Sequence, residues 1–407
     1  MSQEPNPPTS SIPTSGSGGN DNEESESQKN ASTKSAESAA TAAAQSENKT
    51  PNALQEMAAT FRFVTGAVAH PLENLGYMAS TVNRIGSKLL GRKVFDPERD
   101  IGDLEGKVIL ITGGNTGLGK ETILQLAKHN PSRIYLAARS ESKALAAISD
   151  IKSTLTTTTT TNPPTPVPDI RHLPLDLSSF SSIHAAATTF TSENDHLDTL
   201  ILNAGVMALP PGTTTDGYEI QFGTNFLGHF LLTKLLLPTL LSTAASQQPS
   251  PDVRIISISS WAWQMGPLTN PLETMTSTPR LLAANTWTRY GASKAGNVVL
   301  AAQLARLYPQ LTCVSVHPGL IYTGLYDSTM STNPLVRSMV GMAKGVFTGE
   351  REGALNHLWT VGVEKGQLRN GGYYEPVGSL GRCWFADDEG VGRGLWEWAE
   401  GEVKDWL

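Results

Sequence analysis

The sequence predicts an α/β fold, a doubly wound parallel sheet forming a single catalytic domain behind a disordered N-terminal tail. Three observations carry that prediction. Short β-branched, apolar runs alternate with helical stretches, the pattern of parallel strands joined by crossover helices. A glycine-rich turn, Gly113-Gly114-Asn115-Thr116-Gly117-Leu118-Gly119, joins the first run to its helix. The chemically distinctive residues fall at the carboxyl ends of the runs, where open parallel sheets bind ligands.

In chain order, residues 1–52 are rich in Ser, Asn, Glu, Ala, Gly and Pro and lack aromatic residues. Such a segment cannot bury enough apolar surface to offset its chain entropy. Residues 53–94 change character: Leu54, Met57, Phe61, Val64 and Val68 share helical spacing, and beyond Pro71 so do Leu72, Leu75, Met78, Val82, Ile85 and Leu89. This amphipathic extension suits packing on the catalytic domain or on a sister subunit, which would make a homodimer. Its basic flank, Arg84, Lys88, Arg92 and Lys93, also suits peripheral contact with a membrane.

The catalytic domain is read as 95–400, with 401–407 as a C-terminal tail. Residues 108–111 form a buried strand, and 120–130 the helix beyond the glycine turn. Gly113 permits the turn, Gly117 lets backbone N–H groups approach a pyrophosphate, and Gly119 lets helix and strand pack closely. The helix start adds unpaired N–H groups and partial positive charge. The second strand, 133–138, ends at Arg139, about 20 residues beyond the glycines, where the fold faces an adenosine ribose. An arginine there pairs with a 2′-phosphate and favours NADP(H) over NAD(H). Residues 154–168 read as a threonine-rich surface insertion. A third strand, 172–177, holds Asp176, which either bonds an adenine amino group or caps a helix. A fourth, 198–202, runs into Asn203-Ala204-Gly205, where the small Ala204 and Gly205 let backbone approach a cofactor and Asn203 bonds strand backbone to hold that geometry.

A helix over 220–241 holds Asn225 among Phe222, Phe226, Phe230 and Leu231, so this amide needs partners if buried. A fifth strand, 254–260, ends in two hydroxyls, Ser259 and Ser260, of which only one can face the site. Tyr290 and Lys294 stand one helical turn apart in a helix that continues to residue 307. The sixth strand, 312–316, leads through His317-Pro318-Gly319 to Thr323. Residues 322–347 then form a flap over the substrate, with Met207, Trp261, Trp263, Met265 and Trp287 as candidate apolar lining or as core.

Bulk properties exclude other classes. The 407 residues carry a net charge of −7, no basic signature for nucleic acid. Two cysteines, Cys313 and Cys383, make no disulfide framework, and no Cys/His cluster has metal spacing. The run 229–241 is interrupted by Lys234 and Pro238, short of a membrane span. The start has no charged-then-apolar leader. The expectation is a cytoplasmic protein, not secreted, peripheral to an intracellular membrane if the amphipathic extension binds one.

Tyr290 and Lys294 are the chemical centre. A tyrosine titrates near pH ~10, and a neighbouring ammonium favours its phenolate. Tyr290 can then give a proton to a carbonyl oxygen, or take one from an alcohol, as hydride moves to or from a nicotinamide. Together the glycine turn, Asn203-Ala204-Gly205, Asn225, Ser260, Tyr290/Lys294 and Pro318-Gly319 resemble the short-chain dehydrogenase/reductase family over about 96–398. The stretches ILNAGVM, DGYEIQFGTNFLGHFLLTKLLLP and SVHPGLIYTGL resemble its retinol-dehydrogenase-like and WW-domain-oxidoreductase-like branch, and the C-terminal GGYYEPVG resembles fungal members.

The resemblance implies a Rossmann-type fold with Tyr290 as acid/base and Ser260 bonding the substrate oxygen. It implies that Lys294 binds the nicotinamide ribose and tunes Tyr290, and that Asn225 holds a water relay to Lys294. The cofactor residues would be Thr112, Gly113, Asn115, Thr116, Gly117, Leu118, Gly119, Arg139, Asp176, Leu177, Asn203, Ala204, Gly205, Tyr290, Lys294, Pro318 and Gly319, with Thr323 on the carboxamide. His317 reads as structural. The expected function is an NADP(H)-dependent oxidoreductase acting on a lipophilic carbonyl or alcohol of retinoid, steroid, quinone or polyketide type. The alternatives are a non-catalytic NADPH-sensing interaction protein on the same fold, a nucleotide-sugar epimerase, and a membrane-recruited scaffold built around residues 53–93.

Overall fold

The computed structural model describes residues 94–158, 167–319, 321 and 349–407. The tail 1–52, the amphipathic stretch 53–93, insertion residues 159–166, Thr323 and the flap 322–347 lie outside the described residues.

A single turn, α1 (Pro97–Asp100), precedes β1 (Val108–Thr112), α2 (Gly117–Ala127), β2 (Arg133–Ala138), α3 (Glu141–Thr158) and β3 (Asp169–Pro174). The chain continues through α4 (Phe180–Glu193), β4 (Thr199–Leu202), the long helix α5 (Ile220–Ser246) and β5 (Arg254–Ile258). A 3₁₀ turn (Trp261–Met265), short helices α6 (Pro271–Met275) and α7 (Thr278–Ala283), and α8 (Thr286–Leu307) lead to β6 (Thr312–Val316). The last described stretch holds α9 (Glu350–Gly362), β7 (Tyr373–Glu375), β8 (Ser379–Gly381), α10 (Trp384–Asp387) and α11 (Glu389–Val403).

The strands form one sheet in the order β3-β2-β1-β4-β5-β6-β7-β8, parallel except for the β7–β8 pair. The order reverses between β1 and β4, the switch point at which such sheets open a crevice. Period-two alternation builds a core on each face. Leu110, Tyr135, Leu200, Ile255 and Cys313 face α4, α5, α8 and α11. Ile109, Ile134, Leu136, Ile256 and Val314 face α2, α3 and α9. Arg254 ties α9 to the sheet, its guanidinium donating to the carbonyls of Thr360 (2.8 Å), Val361 (2.9 Å) and Val363 (2.8 Å) at the helix end.

Several boundaries differ from the sequence reading. The glycine turn supplies the first turn of α2, which starts at Gly117, not 120. The third strand begins at Asp169, whose carboxylate accepts from Arg133 and Arg171, both at 2.8 Å, so Asp176 lies beyond it. Thr154, Thr156 and Thr157 are helical, each hydroxyl donating to a carbonyl one turn back, so the threonine run opens as helix. Helix α5 continues through Pro238 to Ser246 and is long and apolar enough to cross a membrane. It is a core helix here, and Lys234 on it reaches Glu400 at 2.6 Å. Strands β7 and β8 were not anticipated. Residues 401–407 are no loose tail: Val403 is fully buried and Trp406 packs edge-on against Phe180 at 6.0 Å.

Candidate active site

The carboxyl ends of β1, β2, β4, β5 and β6 open into a cleft of about 880 Å³. One wall is the glycine turn, where Gly113 (φ +68°) and Gly117 (φ +55°) take left-handed backbone that favours glycine. A Cβ on Gly119 would sit 2.4 Å from the Gly113 carbonyl oxygen, so only glycine lets α2 pack this close. Thr116 caps α2 without a side-chain hydrogen bond, and Thr116 through Gly119 line the cleft. That helix start is free to take an anion's oxygens. Asn203 donates to the Thr112 carbonyl at 2.8 Å, and Ala204 N–H donates to Thr112 Oγ1 at 2.9 Å. These bonds stitch the 203–205 strip to the end of β1.

At the far end of the cleft Arg139 is exposed beside Ser140 and Lys143. The sequence reading missed Lys143, which faces the cleft because α3 starts immediately after β2. Asp176 does not cap α4; Ser179 does. Asp176 accepts instead from the Ser178 N–H (2.9 Å) and hydroxyl (2.6 Å), closing its own turn at the cleft wall. Leu177 is held by α5: a Cβ on Gly228 would fall 2.3 Å from its carbonyl oxygen.

Asn225 lies in a π-helical segment of α5, Gly223–Leu227. Such bulges rotate side chains out of the α-helical register and recur at functional sites. Its Oδ1 accepts from Val206 N–H at 2.8 Å, and its Nδ2 donates to the Val206 carbonyl and to Ser293 Oγ, both at 2.9 Å. The amide is thus committed to holding the strip beyond Gly205. A Cβ on Gly205 would lie 3.2 Å from Asn225 Oδ1 and 3.4 Å from Lys294 Nζ, so both groups flank the space that this glycine leaves open.

Lys294 Nζ donates to the Ile258 carbonyl at 3.0 Å and sits 5.8 Å from the centre of the Tyr290 ring. Burial pushes the Lys294 ammonium down from 10.5 to about 8. Of the two serines past β5, Ser259 is buried and spends its hydroxyl on the Lys294 carbonyl at 2.7 Å. Ser260 accepts from Ala262 N–H at 3.1 Å, which leaves its hydroxyl proton to give at the cleft.

His317, Pro318 and Gly319 close one side of the cleft. Burial pushes the His317 imidazole down to about 3, so it is neutral at neutral pH. Met207 and Trp261 line the cleft. Trp263 is core, edge-on to Phe385 at 6.2 Å, and Trp287 and Met265 pack behind Tyr290. Thr224 and Glu350 line the cleft and were missed, as was a fully buried ion pair. In that pair Glu219 caps the start of α5, and Arg289 reaches it at 3.1 Å while donating to the Leu209 carbonyl at 2.8 Å. Glu219 and Arg289 lie 70 residues apart in the chain, so local pattern carries no sign of the pairing.

Residues 107–271 match the family model for short chain dehydrogenases. A short-chain dehydrogenase/reductase of Armillaria gallica is 39% identical over 313 residues, 75% of this chain and 93% of its own. The chain belongs to the short-chain dehydrogenase/reductase family. Human retinol dehydrogenase 13 is also similar, 35% identical over 72% of this chain and 83% of its own, so the retinol-dehydrogenase-like resemblance holds. Among solved structures, an uncharacterised protein of Mycobacterium paratuberculosis is 26% identical with a TM-score of 0.55, over 77% of this chain and 98% of its own. This oxidoreductase family uses a nicotinamide cofactor, and the cleft fits one. The helix start, where Thr116 makes no side-chain capping bond, suits its pyrophosphate, and the close approaches at Gly113, Gly119 and Gly205 leave room that any Cβ would fill.

Proposed function

We propose that this short-chain dehydrogenase/reductase is NADP(H)-dependent and interconverts a lipophilic carbonyl compound and its alcohol, with Tyr290 as acid/base. The observation that carries the reading is the single cleft shared by Tyr290, Lys294, Ser260 and the glycine turn. In reduction, Ser260 donates a hydrogen bond to the carbonyl oxygen and the Tyr290 phenol gives that oxygen its proton. The bound nicotinamide supplies the hydride. The Lys294 ammonium steadies the phenolate left behind. The gap over Gly205, flanked by Asn225 Oδ1 and Lys294 Nζ, suits a water that returns a proton toward Tyr290.

NADP(H) preference rests on Arg139, with Lys143 beside it, at the end of β2. The lipophilic substrate class rests on Met207, Leu209 and Trp261 in the cleft wall. Purified full-length protein should oxidise NADPH with hydrophobic aldehydes, ketones or quinones. Tyr290→Phe should lose roughly 10²- to 10⁴-fold in kcat. Arg139→Ala should weaken NADPH roughly 10- to 100-fold and leave NADH near its starting affinity. Tight NADPH binding with no turnover across the panel would favour the NADPH-sensing alternative, and equal turnover by Tyr290→Phe would remove the assigned acid.

A further inference from the structure

The reaction as derived makes no use of His229. This residue lies on α5 one turn beyond Asn225, fully buried in a stretch with Phe226, Leu227, Phe230 and Leu231. Its Nδ1 is 2.8 Å from the Asn225 carbonyl oxygen, and its Nε2 is 2.9 Å from Thr112 Oγ1. A carbonyl oxygen only accepts, so Nδ1 carries the proton. Burial keeps the ring neutral, with its pKa pushed down to about 3, so Nε2 accepts and the Thr112 hydroxyl donates to it. The Thr112 oxygen in turn accepts from Ala204 N–H at 2.9 Å. Each proton from Ala204 N–H through Thr112 and His229 to the Asn225 carbonyl therefore has one assignment.

We propose that His229 is a positioning residue that locks the cofactor cradle to the π segment bearing Asn225. Its Nε2 holds the Thr112 hydroxyl, and with it the junction of β1 and the 203–205 strip. Its Nδ1 holds the Asn225 carbonyl, in a segment whose ladder is shifted to five-residue spacing, Gly228 N–H bonding Gly223 O. Asn225 then presents its amide to Val206 and Ser293 beside Lys294. The proposal rests on the catalytic reading of Tyr290 and Lys294 for its effect on turnover, but not for its effect on cofactor binding.

Two shortened mimics separate the ends. His229→Asn keeps a donor near the Nδ1 position and loses Thr112. His229→Gln reaches the Nε2 position and gives up the bond to Asn225. The expected result is an NADPH Kd raised about tenfold in His229→Asn with kcat nearly unchanged, and the reverse in His229→Gln. Thr112→Val should raise Kd similarly and add little to His229→Asn, because both break the same bond. Selective ¹⁵N-histidine labelling of the intact protein, with the His229 signal assigned by its loss in His229→Gln, reads the ring directly. A neutral Nδ1–H tautomer that does not titrate between pH 5 and 8 supports the lock. An Nε2–H tautomer, titration in that range, or unchanged Kd and kcat in both mimics would overturn it. Full turnover by Tyr290→Phe would defeat the catalytic reading alone, and the ¹⁵N spectrum and the NADPH Kd would still decide the role of His229.

Discussion

Lys294 shows how a single side chain is held at a cost for the sake of a site. Its ammonium is buried, and in the folded state it titrates at about 8 against 10.5. The folded protein therefore binds this proton less tightly than the unfolded chain. The penalty is full below pH 8 and disappears as pH rises through 10.5. The Ile258 carbonyl that Lys294 engages also accepts from Asn297 at 2.9 Å, so removing the lysine leaves no orphaned acceptor. Lys294→Met should thus abolish turnover yet melt higher than wild type at pH 7, with the gap closing toward pH 10. A lower Tm at pH 7 would show the lysine to be a net stabiliser. Glycine is decided on sterics alone: Gly119→Ala drives a Cβ onto the Gly113 carbonyl, so NADPH binding measured by fluorescence should fall at least tenfold. The sequence carried these residues openly, because glycine spacing and the Tyr–Lys turn are local patterns. His229, Arg289 and Glu219 were not legible, since their partners come from distant segments.

At the scale of elements, helix α5 depends on α11. Trp396 stands edge-on to Phe230 at 4.9 Å, Trp398 lies 6.0 Å from Phe222, and Glu400 takes Lys234. These aromatic residues bracket the π segment that carries Asn225. Trp396→Ala should cost about 3–5 kcal/mol in urea unfolding. Lys234→Met, which removes a partly exposed pair, should cost about 1 kcal/mol or less. A larger cost at Lys234→Met than at Trp396→Ala would mean that the ion pair, not the aromatic packing, holds the helix down. The periodicity of the sequence located the six parallel strands β1–β6 to within a few residues. Strands β7 and β8 have three residues each, too short for a period to register, and they form only by extending the sheet edge, β7 along β6 and β8 along β7. The start of α2 was misplaced because glycines read as a turn even where they are the turn's helical continuation.

For the molecule as a whole, buried imidazoles set the response to acid. Burial pushes His229 and His317 to about 3 and His357 to about 4, against 6.5 when exposed. Below pH 6.5 the unfolded chain takes up these protons and the folded one does not, so stability falls as pH drops toward 4. Glu375, raised by burial to about 7, and Glu219, also raised, act in the opposite sense above 4.5. With His129, lowered by burial, on the imidazoles' side and His196, raised against burial by its bond to Asp195, on the carboxyls', the buried imidazoles dominate, so the urea midpoint should climb between pH 4.5 and 6.5. A flat or falling midpoint there would mean that the imidazoles ionise in place. None of this was readable in advance, because burial depends on how both faces of the sheet are covered.

That covering also has a timetable. Helix α5 ends at Ser246, and its cover, α11, begins at Glu389. At about 5–20 residues per second of synthesis, α5, the most apolar of the described helices, is complete roughly 7–30 s before the α11 residues that pack on Phe222 and Phe230 exist. Throughout that interval it has the length and hydropathy of a membrane span. Until then α5 packs on α4 and on the strands already made, while Phe222 and Phe230 wait for Trp398 and Trp396 to close over them.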